Sequence, residues 1–137
     1  MIFLKIGGSL ITDKRVPFSV KWDEMERICE EIARIDEKMI IGHGGGSFGH
    51  VVARDYAGLL EGFPKIREAM MKLNLFFVSS LIAKGVNAVS FPPSCFMVVE
   101  EEVKVNVEPI EIALRNGFVP VVHGDAILEK EGYTIFS

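Results

Sequence analysis

The chain has 137 residues, 49% of them hydrophobic and 25% charged, with 15 basic and 19 acidic residues for a net charge of −4. That length predicts one domain able to bury its own core, and the mixed composition excludes a disordered or low-complexity chain. The acidic balance and the dispersed Lys and Arg argue against a nucleic-acid partner, and no apolar run is long enough to cross a bilayer.

Met1–Lys5 lacks the charged lead and cleavage site of a leader peptide, so residues 2–6 read as a first strand and the protein is expected to be cytoplasmic. Gly7-Gly8-Ser9 ends that strand in a glycine turn, with Lys5 before it and Lys14 after it. From Ser19 to about Asp36, Trp22, Met25, Ile28, Cys29, Ile32 and Ile35 recur at three- and four-residue steps, which predicts an amphipathic helix. Met39-Ile40-Ile41 reads as a buried strand, and residues 51–56 as a helix. After Gly62-Phe63-Pro64 a longer helix is predicted to about Lys84, with Ile66, Met70, Leu73, Phe77 and Leu81 on one stripe. That stripe serves as core or, in part, as the wall of an apolar pocket. Residues 88–91 form a third strand, broken by Pro92-Pro93-Ser94, and residues 96–99 and 103–105 a short hairpin. A helix from Glu108 to Asn116 ends at Gly117, and Val119–Val122 is a fourth strand. Residues 126–128 and 133–136 make two last strands around Lys130-Glu131-Gly132. Cys29 and Cys95 have no metal-ligand spacing and are expected as reduced thiols.

Strands alternating with helices predict an α/β fold, a three-layer αβα sandwich with a mainly parallel sheet. Ligands of such sheets bind beyond the carboxyl ends of the strands. That rule selects Lys5–Ser9, His43–His50 and His123–Asp125, each carrying glycine beside a polar or charged residue. In His43-Gly44-Gly45-Gly46-Ser47-Phe48-Gly49-His50, three residues without Cβ let backbone N–H groups approach an anion, and the helix behind adds its positive end. His50 falls about one turn into that helix. Zinc ligation is disfavoured by the spacing of the three histidines, and no metal ligand is assigned. Gly45-Gly46-Ser47-Phe48-Gly49 satisfies G-x-S-x-G, but no oxyanion loop accompanies it. The Rossmann and Walker A patterns are absent. Phosphoryl transfer, which needs positioning and many donors, fits Lys5, Lys14, His50 and the amides of Gly8 and Gly44–Gly46 best. Asp125 either orients the lysines or caps a turn.

With Lys5–Lys14, His43–His50 and Val119–Asp125 read together, the whole chain resembles the isopentenyl phosphate kinases of the amino acid kinase superfamily. The resemblance implies transfer of the ATP γ-phosphoryl group to isopentenyl phosphate, with Mg²⁺. By matching position, Lys5, Ile6, Gly7, Gly8, Ser9 and Gly46 look like ATP-phosphate contacts. Gly45 and His50 look like acceptor-phosphate contacts and Lys14 like a transition-state stabiliser. Gly44, Asp125 and Met70 would complete the acceptor side, the apolar helix stripe taking the isoprenoid tail. His123 departs from the family, which more often has an aromatic residue there. The superfamily continues past the Gly-Asp strand into a half that holds adenine and ribose. The 137 residues are therefore expected to be a truncated, N-terminal acceptor-binding part, inactive alone, its remainder either on a separate C-terminal polypeptide or lost from this one. A homodimer is implied by the same resemblance. A fosfomycin kinase-like enzyme and a non-catalytic phosphate-binding fragment are the alternatives.

Overall fold

The computed structural model describes residues 1–136. Strand β1 (Ile2–Ile6) runs into a single helical turn, α1 (Gly8–Ile11), then α2 (Trp22–Ala33), β2 (Met39–His43) and α3 (Gly46–Tyr56). The long helix α4 (Gly62–Ala83) leads to β3 (Ala88–Ser90) and the hairpin β4 (Met97–Val99) and β5 (Val103–Val105). Helix α5 (Glu108–Arg115), β6 (Val119–His123), β7 (Asp125–Leu128) and β8 (Tyr133–Phe136) complete the order.

Four strands form one parallel sheet in the order β1-β2-β6-β3, while β4–β5 and β7–β8 are separate antiparallel pairs. The register aligns Ile6 with His43 and His43 with His123, so three strands end at one level. The chain steps from β1 to β2 and on to β3, then turns back to β6. Right-handed crossovers therefore place α2 and α4 on one face and α5 on the other. Met25, Ile28, Cys29 and Ile32 of α2 and Ile66, Met70, Leu73, Phe77 and Leu81 of α4 are buried in one core with Ile6, Ile41 and Val121. Ile110 and Ala113 of α5 are buried outside that cluster. Burial holds the Cys29 thiol up at about 11, and both cysteines are free.

The elements follow the sequence pattern with shifts at their ends. The helix expected over 51–56 begins at Gly46, because Ser47 and Phe48 are buried and hold the first turn against the sheet. Helix α2 is shorter than its apolar pattern. The sheet strands β2 and β6 extend to the histidines at their tips.

Candidate functional site

Two glycine turns meet beyond the tips of β1 and β2, backbone against backbone. A Cβ on Gly8 would collide with Gly46 N and Cα, and one on Gly46 with Thr12 Oγ1 and Gly8 O. Gly46 also sits at φ +48°, where side chains are strained. Thr12, wholly buried, joins the two turns: its hydroxyl donates to Gly8 O at 2.7 Å and accepts from Ser47 N at 3.0 Å. The N–H groups of Gly8, Ser9, Gly45 and Gly46 have no acceptor among the described residues. Free amides gathered at the start of α3 form a concavity for anions, and two such cradles in contact suit two phosphorylated molecules at once.

Lys5 and Lys14 are exposed and make no ion pair among the described residues. His50 is exposed on α3, four residues after Gly46 and so on the same helical face. Lys21, not singled out in the sequence, donates its Nζ to Ser9 O at 3.1 Å and adds a cation beside the first turn. Asp125 orients no lysine. Its carboxylate is buried and accepts from Ala126 N at 2.9 Å and Ser94 N at 3.0 Å, so it fastens the start of β7 to the Pro93–Cys95 turn.

Of the α4 stripe, Met70 reaches the glycine loop: a Cβ on Gly45 would lie 2.8 Å from its Sδ. The stripe as a whole is core and not a pocket wall. A wide cavity of 780 Å³ opens one helical face further round, lined by Phe63, Arg67, Met71, Leu75 and Val78 with Asn74 and Ser90. A smaller one of 380 Å³ lies on the other side of the sheet beside Phe3, Lys5, Gly42 and His123.

Two histidines lie buried beneath the tips, their rings 5.6 Å apart. Burial pushes His43 down to about 4 and lowers His123 as well, so both are neutral near pH 7. Nδ1 of His43 lies 2.9 Å from Gly44 O, and Nδ1 of His123 lies 2.7 Å from Gly124 O. Asn74 reaches Nε2 of His43 at 3.0 Å. Its signal in the sequence was one polar side chain inside the apolar arc of α4, easily read as a solvated neighbour.

No group of three or more His, Cys, Asp or Glu is placed to hold a metal among the described residues. The implied Mg²⁺ needs oxygen ligands. Asp125 spends its oxygens on backbone amides, and Asp13 is paired with Arg15 at 3.1 Å, which holds its carboxyl down at about 2. Neither is a free ligand, so these residues do not fit the ion.

A parallel α/β sheet with paired glycine turns meeting at its strand ends defines an α/β protein whose ligand edge is built from backbone amides. The amino acid kinase family matches residues 1–137, and the chain belongs to that family. It is 36% identical over 157 aligned positions to the isopentenyl phosphate kinase of Methanocaldococcus jannaschii, covering 100% of this chain and 60% of that protein. The isopentenyl phosphate kinase of Methanothermobacter thermautotrophicus is 35% identical, with 100% of this chain and 58% of that protein covered. The chain therefore spans about 60% of the length of these curated relatives. A solved Thermoplasma acidophilum isopentenyl phosphate kinase in a product complex superposes with TM-score 0.91 at 30% identity, over 100% of this chain and 61% of that one. An aspartate kinase from Synechocystis, at TM-score 0.67 and 14% identity over 100% of this chain and 23% of that one, shares the fold alone.

Proposed function

We propose that this chain is the acceptor-binding part of a kinase that moves the γ-phosphoryl group of ATP onto isopentenyl phosphate, giving isopentenyl diphosphate. The observation that carries this reading is the backbone contact between two cradles of unpartnered amides, which would bring donor and acceptor phosphates side by side. The relatives named isopentenyl phosphate kinase supply the acceptor's identity.

The reaction joins two anions, so positive groups and in-line placement supply most of the rate. In this reading Gly8, Ser9 and Gly46 donate N–H groups to the ATP phosphates, with Lys5 alongside. Gly45 N–H and His50 hold the acceptor phosphate, and Lys14 neutralises charge that spreads onto the transferring group. Met70, buried against Gly45, supports the acceptor loop from the core side. The base and ribose of ATP would be held by polypeptide outside these residues. A cytoplasmic homodimer completes the proposal. Met71, Leu75 and Ile82 present an exposed apolar strip on α4, flanked by Glu68 and Lys72, whose opposite charges a two-fold axis would pair across the interface.

Titration calorimetry tests the site on the chain itself. Isopentenyl phosphate is expected to bind, and His50→Ala to weaken it about tenfold or more while ATP binding holds, the loss of one charge-assisted hydrogen bond. An unchanged affinity in His50→Ala rejects the assignment. A kinase assay with ATP and isopentenyl phosphate is expected to give no turnover with this chain alone and turnover once the C-terminal part of a full-length relative is supplied. With that part present, Lys14→Ala should lower kcat by about 10²–10³, as removing a single transition-state donor does. A panel including fosfomycin decides the acceptor.

A further inference from the structure

A backbone carbonyl accepts hydrogen bonds and cannot donate. Gly44 O lies 2.9 Å from His43 Nδ1, so Nδ1 carries the ring's proton. The ring is neutral, and Nε2 is therefore an acceptor, facing the Asn74 amide nitrogen at 3.0 Å. Asn74 must then turn its oxygen to the Ser90 hydroxyl, which donates to it. One carbonyl thus sets the direction of every proton from the glycine loop to the edge strand β3.

In a trans peptide the C=O and the following N–H point in opposite directions, and no peptide bond here is cis. With Gly44 O turned inward onto the imidazole, Gly45 N–H is turned outward. A peptide between two glycines has little steric preference of its own for that orientation. We infer that His43 is a positioning residue: held in the Nδ1–H tautomer by Asn74 and Ser90, it keeps the Gly44–Gly45 peptide turned so that Gly45 N–H faces the acceptor phosphate. This rests on the proposed role of Gly45 as an acceptor contact. His123 makes the same Nδ1 bond to Gly124 O, but its Nε2 has no partner among the described residues, so it serves as an internal comparison.

Long-range ¹H–¹⁵N spectra of the chain at pH 7 read the tautomer directly. Nδ1 of His43 is expected protonated and Nε2 bare. Ser90→Ala, which lets the Asn74 amide turn over, is expected to mix the tautomers of His43 and leave His123 alone. Inorganic phosphate and isopentenyl phosphate are each expected to shift the Gly45 amide signal of the wild type. His43→Leu should bind isopentenyl phosphate about tenfold or more weakly, whereas His43→Asn, whose amide nitrogen can take the place of Nδ1, should stay within about threefold. If His43→Leu does not fold, Asn74→Leu gives the same reading with the ring in place. An Nε2–H tautomer in the wild type, or full affinity in the Leu variants, overturns the inference. Phosphate shifting Gly45 while isopentenyl phosphate does not bind sinks the proposed substrate and supports the positioning role. Isopentenyl phosphate binding with Gly45 unshifted does the reverse.

Discussion

Gly46 and Thr12 carry the tightest constraint at the scale of single residues. A methyl group at position 46 would meet Thr12 Oγ1 and Gly8 O while the backbone stays at φ +48°. Gly46→Ala is expected to cost about 2 kcal/mol or more, measured by urea denaturation. Thr12→Val keeps the volume but leaves Gly8 O and Ser47 N without their partner, at about 1–3 kcal/mol, and Thr12→Ser should recover most of it. His43 adds a pH dependence whose sign follows from burial. Its folded value of about 4 lies below the ordinary 6.5, so the unfolded chain binds a proton that the fold excludes. Its contribution to stability is complete above pH 6.5 and falls away as the pH drops toward 4, by about 3 kcal/mol in all. His123, also lowered by burial, acts in the same direction. Denaturation between pH 7.5 and 4.5 should show the fall, and His43→Asn should flatten it.

At the scale of elements, α4 is read most clearly by its faces. Phe77 is wholly buried and packs edge-on to His43 at 5.2 Å, so Phe77→Ala should cost about 3–5 kcal/mol. Leu75, two residues earlier and 63% exposed, lies on the proposed subunit face. Leu75→Asp should leave folding within about 0.5 kcal/mol and shift a dimer to monomer in sedimentation. The same helix is tied to α2 by Lys84, whose Nζ reaches Glu26 at 3.3 Å and Glu30 at 3.1 Å. The last strand reaches back by one hydroxyl: Tyr133 accepts from Gly58 N at 3.0 Å and donates to Leu59 O at 2.8 Å. That bond pins the loop between α3 and α4 and so sets where α4 begins.

Across the whole molecule the two faces of the sheet are covered unequally. Helices α2 and α4 bury one face in the main core. The other has α5, and Phe3 of β1 remains 74% exposed beside the 380 Å³ cavity with Ile40, Lys5 and Val122. An apolar strand face open to solvent next to the proposed ATP-phosphate contacts suits the proposed addition of further polypeptide there. Phe3→Ser should therefore change the stability of this chain little and weaken its complementation by the C-terminal part of a full-length relative.

The sequence by itself determined the order of strands and helices, the parallel sheet, and which three strand ends carry glycine. Each of these is a matter of local period or of residues without a Cβ, and both are written along the chain. The resemblance in His43–His50 also pointed to the family. Tertiary structure decided what depends on partners distant in the chain. Asp125 could orient the lysines or cap a turn, and the fold decides for the second kind of role, because it brings Ser94 N and not a lysine to its oxygens. Asn74 and Thr12 look unremarkable in the sequence until residues 31 and 35 positions away meet them as His43 and Ser47. The contact between the two glycine turns has the same origin: only the pairing of β1 with β2 sets Gly8 against Gly46.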